Sequence, residues 1–304
     1  MRQYQPIGFQ QRNLETKLGT MVYSTPDPSF YPPVFSNPNP LVFLHSLGGG
    51  SSAYEWSKVY PSFAATHRVI APDLIGWGDS NHPTIKYYPQ DYMNLMQTLL
   101  EKVAATPAWV VASSLTAGLV VRLAIEQPQL FRGLFLVSPS GYRDFSEDYR
   151  EQVSSQILNL PGFDRLIYAV GAANQLAVKN FLEQFLFADS RRLTQETINA
   201  YLASALKPNA EYAALASLKG DLCFDLAQYM EQLNTPTVFV WGSQSRFSRP
   251  QQGRRLANLN PNVDFHLIAG TGVLPHLEVP PVVTGLLSAT LFQHTWQGFS
   301  DYIA

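Results

Sequence analysis

Residues Ala108–Gln127 read "AWVVASSLTAGLVVRLAIEQ", and the stretch divides at its pair of serines. The first five residues, before the serines, are an unbroken apolar run of the length and character of a strand buried on both faces. The segment "LVVRLAIEQ" carries its apolar residues at helical spacing. A strand that turns into a helix within two or three residues has to make a sharp corner, and Ser113 and Ser114 occupy it. Similar apolar runs recur at "LVFLHS" (41–46), "HRVIAPDL" (67–74), "FRGLFLVSP" (131–139), "PTVFVWG" (236–242) and "VDFHLIAG" (263–270). Between them lie helical patterns, the clearest being "DYMNLMQTLLEKV", with Tyr92, Leu95, Met96, Leu99, Leu100 and Val103 on one face.

Strands alternating with helices predict an α/β fold, a mostly parallel, doubly wound sheet with its ligand site beyond the carboxyl ends of the strands. Residues 12–25 alternate apolar and polar about a Lys-Leu-Gly turn, as in a hairpin. One interval breaks the alternation. From residue 140 to 234 the pattern is helical throughout, in "YREQVSSQILNL", "QLAVKNFLEQFLF" and "TQETINAYLASAL" with Thr194 placed as an N-cap. The expected organisation is a core of residues 1–139 and 235–304 with a helical cap, 140–234, inserted over the site.

Composition narrows the function classes. The 304 residues are 46% hydrophobic and 14% charged with a formal net charge of −2, a globular balance that offers no electrostatic attraction to nucleic acid or an anionic membrane. The single cysteine, Cys223, excludes an internal disulfide and a Cys-based zinc site. A P-loop and a His-x-x-Glu-His run are missing, and Gly48-Gly49-Gly50 lacks dinucleotide-loop spacing, so neither a metal nor a cofactor is expected. The N-terminus lacks the apolar run of a secretory signal and the longest apolar stretch is too short to span a bilayer, so the expected location is cytoplasmic.

Five segments carry the chemistry, the last two as a pair. "LHSLGGGSSAYEW" (44–56) follows the first buried strand, "PDLIGWGDS" (72–80) the second, "VVASSLTAG" (110–118) is the strand-to-helix corner, and the paired "WGSQSRFSRP" (241–250) and "AGTGVLPHLEVP" (269–280) follow the last two strands. In this order they resemble the α/β-hydrolase superfamily with a helical cap, over about residues 12–296. The resemblance implies a nucleophile elbow at Ser114 and an oxyanion hole from the backbone N–H groups of Leu47 and Leu115. It also implies that Asp73 braces its loop. The flanking glycines of the elbow have become Ala112 and Thr116, and Ser46 replaces a glycine.

The same resemblance places the catalytic acid at Ser245 and the catalytic base at Val273, with His276 matching a second, non-catalytic histidine. Valine has no lone pair with which to take a proton, and a serine hydroxyl is a weak nucleophile without a base. Of the remaining histidines, His45 and His82 stand on loops at the carboxyl edge as braces. Asp144 and Glu147 follow the sixth strand, where some relatives keep their acid. The expectation is a non-catalytic or very weakly active relative of serine hydrolases. It would bind a small, largely apolar or ester-like molecule, or a protein partner, in a pocket between cap and core that includes His45, Trp77, Phe247 and His276. The alternative is an active esterase or other acyl hydrolase in which a rearranged group activates Ser114.

Overall fold

The computed structural model describes residues 4–32, 39–147 and 174–300, with side chains through residue 293. The expected helix at "YREQVSSQILNL" lies outside the described residues. Eight strands form one sheet: β1 (Phe9–Thr16), β2 (Gly19–Pro26), β3 (Leu41–Leu44), β4 (Val69–Pro72), β5 (Ala108–Ser113), β6 (Phe131–Val137), β7 (Thr237–Gly242) and β8 (Val263–Ile268). Their spatial order is β1-β2-β4-β3-β5-β6-β7-β8. The pairs β1/β2 and β2/β4 are antiparallel, and every pair from β4/β3 to β7/β8 is parallel. The expected hairpin is β1–β2, closed where Thr16 faces Gly19. Gly19 takes φ +116°, a conformation that penalises any side chain.

The helices are α1 (Pro89–Leu99), α2 (Ser114–Glu126), α3 (Gln175–Phe181), α4 (Gln195–Ala205), α5 (Ala210–Lys219), α6 (Pro250–Ala257), α7 (Pro275–Glu278) and α8 (Pro280–Ser300). Strands β3, β4, β5 and β7 are buried at every position, as their continuous apolar runs require when helices cover both faces. One face packs Val42, Leu44, Val110 and Ala112 against α1 and α2; the other packs Phe43, Val111 and Val240 against Trp56, Tyr60 and α8. Helix α1 begins on Pro89, and the Asp91 carboxylate accepts the Tyr88 N–H at 2.8 Å, a first-turn arrangement that suits both residues.

Between β6 and β7, in the interval expected as a cap, the described helices are α3, α4 and α5 with their connections. Thr194 caps α4, its hydroxyl accepting the Thr197 N–H at 3.1 Å. Two of the side chains that fasten these helices to the sheet meet at the loop after β8. The buried Glu278 accepts the N–H groups of Ala188 (3.1 Å), Asp189 (3.2 Å) and Gly272 (2.5 Å), while Arg192 donates to the Gly270 carbonyl at 2.7 Å. The loop after β8 is therefore held from the cap side. Among the described residues no helix is long and apolar enough to cross a membrane.

Candidate active site

The corner between β5 and α2 is a strained elbow. Ser114 has φ 58°, in the left-handed region where a non-glycine residue carries roughly 1–3 kcal/mol of strain that surrounding contacts must offset. Those contacts are present. The Thr116 hydroxyl, on the residue that departs from the usual glycine, is fully buried and donates to the His45 carbonyl at 2.7 Å. The Ser114 carbonyl accepts the Ser140 N–H at 3.3 Å. Close backbone approach occurs one half-turn later: a Cβ on Gly118 would meet the Ser140 carbonyl oxygen at 2.7 Å. Threonine is thus tolerated at 116 because its hydroxyl finds an acceptor and the tight contact falls on Gly118.

The hydroxyl of Ser114 is in a short hydrogen bond with that of Tyr142, in the loop after β6. Tyr142 itself has φ 64°, and its ring stands edge-on to Phe247 at 5.0 Å between centroids. Burial pushes the Tyr142 hydroxyl well above the ordinary tyrosine range, with the Ser114 bond opposing, so it is a neutral phenol throughout the physiological range. Val273, 2% exposed, donates its N–H to the Leu186 carbonyl (2.9 Å), and its carbonyl accepts the Ser138 hydroxyl (2.9 Å). Ser245 is buried, and its hydroxyl has no hydrogen-bond partner among the described residues.

A cavity of about 190 Å³ opens in front of the elbow. Ser114, Tyr142, Phe247 and Val273 line it from the core, and Phe181 and Phe185 from the cap. Ser46, Gly48 and Gly49 supply its wall on the side of the loop after β3, and Cys223 is also at its surface. Leu47 and Leu115 are buried with side chains in the core. What each can offer the cavity is a backbone N–H, Leu115 from the first turn of α2, where helices leave donors without an intrahelical acceptor.

Three residues expected at the ligand do not line this cavity. Trp77 is in the core, its indole N–H donating to the Tyr92 hydroxyl at 3.1 Å. His45 is fully buried: Nε2 accepts the Leu74 N–H at 2.9 Å, which leaves Nδ1 as the protonated nitrogen, donating to the Ser46 carbonyl at 2.6 Å. Both nitrogens are committed to bracing two loops. His276 turns away from the serine and stacks on Trp56, with centroids 3.9 Å apart and planes 11° from parallel. His82 points Nε2 at the Gly78 carbonyl, 3.1 Å away. Among the described residues, no imidazole lines the cavity.

The carboxylates are equally occupied. Asp73 accepts the N–H groups of Ala53 (2.7 Å) and Asp79 (2.8 Å), a loop brace. Asp144 accepts the Ser140 hydroxyl (2.6 Å) and the N–H groups of Gly141 (3.0 Å) and Leu226 (2.9 Å). Burial raises its pKa to about 6 against those bonds. Glu147 is exposed and pairs with Arg255 at 2.8 Å. A further carboxylate next to the elbow, Glu55, is one that the sequence motifs do not single out. It is fully buried and accepts the Ser46 N–H (2.8 Å), the Ser46 hydroxyl (2.8 Å), the Tyr201 hydroxyl from α4 (2.8 Å) and the Ser113 hydroxyl (3.4 Å). One side chain therefore joins the loop after β3, the elbow strand and the cap. The serine at position 46 is the available signal, since its hydroxyl supplies a donor that glycine lacks.

The stacked, buried His276 gives a pH prediction. Burial holds its pKa down at about 4, with Glu55 opposing. The unfolded chain, with an ordinary histidine near 6.5, binds the proton first, so stability is lost as pH falls from about 6.5 to about 4. Asp144 acts with the opposite sign: its contribution is present below the unfolded carboxylate range and disappears as pH rises through about 6. His276→Phe keeps the ring on Trp56 and leaves Asp144 in place, so the difference between the two proteins isolates the histidine. Urea unfolding between pH 7 and pH 4 is expected to show the native chain losing about 1.4 kcal/mol per pH unit relative to His276→Phe below about pH 6.5, some 3 kcal/mol in all. Parallel stability curves would show that the ring is solvated.

Residues 39–280 match the family model described as the alpha/beta hydrolase fold. An uncharacterized protein of Mycobacterium tuberculosis is 35% identical over 251 residues, covering 79% of this chain and 71% of that protein. Among solved structures, a serine hydrolase involved in carbazole degradation superposes with TM-score 0.75 at 16% identity, covering 94% of this chain and 99% of that one. A carboxylesterase from Bacillus subtilis superposes with TM-score 0.72 at 17% identity, covering 95% and 94%. At those identities the structural likeness is one of fold. The family model, spanning the sheet from β3 through β8 together with the elbow and the cap, makes the assignment: the chain belongs to the α/β-hydrolase fold family.

Proposed function

We propose that this chain is a non-hydrolysing, or at most very slow, member of its family that binds a small, largely apolar molecule in the cavity between cap and core. The observation that carries the reading is the partner of Ser114. Its hydroxyl bonds to a neutral phenol, and Val273 lines the cavity beside it. A phenol that burial keeps protonated offers only a weakly basic oxygen, so it does not convert serine into a nucleophile. Relatives named as hydrolases and esterases use the same fold, and a strained elbow with nearby N–H donors leaves some residual acyl transfer. In serine proteases stripped of a triad member, the oxyanion hole and substrate binding alone retain about 10³–10⁴-fold over water.

The test is direct. Fluorophosphonate labelling of the full chain and turnover of p-nitrophenyl acetate are expected to stay near the level of the Ser114→Ala variant. Rapid stoichiometric labelling of Ser114 with sustained turnover overturns the proposal in favour of an acyl hydrolase that activates its serine by a group other than an imidazole at position 273.

A further inference from the structure

We infer that the cavity selects a neutral, ring-sized molecule with a single carbonyl-type acceptor, held jointly by the hydroxyls of Ser114 and Tyr142, and that it rejects the corresponding carboxylate. The inference rests on the binding reading above and narrows it to a ligand class.

Size comes first. A cavity of about 150 Å³ lined by leucine, isoleucine and phenylalanine binds benzene. The one here measures about 190 Å³, enough for a monocyclic ring bearing a short substituent. Its walls suit such a ring. Phe181, Phe185 and Phe247 surround the space with Val273 and Leu274, and aromatic faces favour offset or edge contacts with another ring.

Ser217 from α5 adds a further hydroxyl to the lining, while the polar end that concerns a ligand is at the elbow. Ser114 and Tyr142 meet there, next to the start of α2, a helix of 13 residues whose first turn directs N–H groups outward. An entering carbonyl exchanges the serine–tyrosine bond for two new ones: both hydroxyls donate, one to each lone pair, and the backbone N–H of Leu115 is available as a third donor. Donors alone suit a neutral carbonyl. Burial keeps the phenol protonated, so it has a hydrogen to give at neutral pH.

A carboxylate meets a different balance. Among the described residues lining the cavity there is no Lys, Arg or His, so an anion would leave water with only the N–H groups at the start of α2 to offset it, and without a paired counter-charge that burial costs far more than those groups return. Ser46, the other hydroxyl at the polar end, already donates to the Glu55 carboxylate, and a buried carboxylate so close adds repulsion. The site is thereby matched to an ester, ketone or lactone and mismatched to the acid that ester hydrolysis releases.

Three probes of matched size separate the terms: acetophenone, α-methylstyrene and benzoate, titrated calorimetrically into the full-length chain. Acetophenone is expected to bind about 100-fold more tightly than benzoate and about 10-fold more tightly than α-methylstyrene. Tyr142→Phe is expected to weaken acetophenone by about 10-fold, one neutral hydrogen bond's worth, and to leave α-methylstyrene unchanged. That unchanged affinity also certifies that the variant's cavity is intact. Benzoate binding as tightly as acetophenone, a Tyr142→Phe effect equal on both neutral probes, or no binding of acetophenone at millimolar concentration each overturns the inference. None of these probes is hydrolysable, so the result is independent of the labelling experiment: an active enzyme could still show this selectivity, and an inactive chain could lack it.

Discussion

Val273→His combined with Ser245→Asp is expected to raise p-nitrophenyl acetate turnover by about 10²-fold over the parent chain. Loss of the histidine from a complete serine triad costs about 10⁶-fold in turnover, and a rebuilt site whose surroundings were not shaped for it recovers only part of that. Position 273 lines the same cavity as Ser114, and Ser114 has the left-handed φ that a serine at such a corner requires. Position 245 follows β7, where its side chain is buried and its hydroxyl has no partner among the described residues. Either change alone is expected to do little: a lone histidine lacks an orienting acceptor, and a lone aspartate is a buried charge without a partner. Tyr142 competes with the new imidazole for the Ser114 hydroxyl, so adding Tyr142→Phe to the pair should raise the rate further. If neither the double nor the triple variant gains over the parent, position 273 does not present its side chain to the serine, and the account of the lost base fails.

Glu55→Ala is expected to cost about 3–5 kcal/mol of stability, measured by urea unfolding at neutral pH. Four donors converge on this carboxylate. Hydrogen bonds to a charged group contribute about 1.5–3 kcal/mol each, and a buried donor left without a partner costs about 1–3 kcal/mol. Partial rearrangement reduces the simple total, since the Ser46 hydroxyl retains its contact with Ser51 at 2.8 Å. Glu55→Gln should cost less because the amide keeps one acceptor oxygen. Tyr201→Phe, which removes only the cap's donor, should cost about 1 kcal/mol and increase proteolytic nicking of the cap relative to the core. A Glu55→Ala loss below about 1 kcal/mol would mean that water replaces the carboxylate and that cap and elbow are not joined through it.

Much of the molecule is readable along the chain because the information is local. Continuous apolar runs of strand length, separated by amphipathic helices, identify a covered parallel sheet, and Ser114 falls where one such strand becomes a helix. The absence of histidine at position 273 is equally local, since Val273 sits between a glycine pair and Pro275-His276. Trp77 and His276 are harder. Trp77 lies on a loop and His276 on the short helix α7, both at the correct edge of the sheet, and whether such a side chain faces a cavity or the core depends on its partners, Tyr92 for the one and Trp56 for the other.

Thr116 stands where the resemblance leads one to expect a glycine, and the sequence around it offers no acceptor for its hydroxyl. The acceptor is the carbonyl of His45, 71 residues away. Glu55 has only Ser46, nine residues before it, as a signal in the sequence; its other donors, Ser113 and Tyr201, are 58 and 146 positions away. Tyr142, 28 residues beyond Ser114, follows a strand in a stretch without any recognisable motif. By itself the sequence determined the alternating architecture, the serine at its corner and the absence of histidine at position 273, because periodicity and short spacings are properties of neighbouring residues. Only the tertiary structure decided that the serine meets a tyrosine, that a buried glutamate ties the corner to the cap, and which histidines are braces, because each depends on hydrogen-bond partners that chain folding brings together from remote segments.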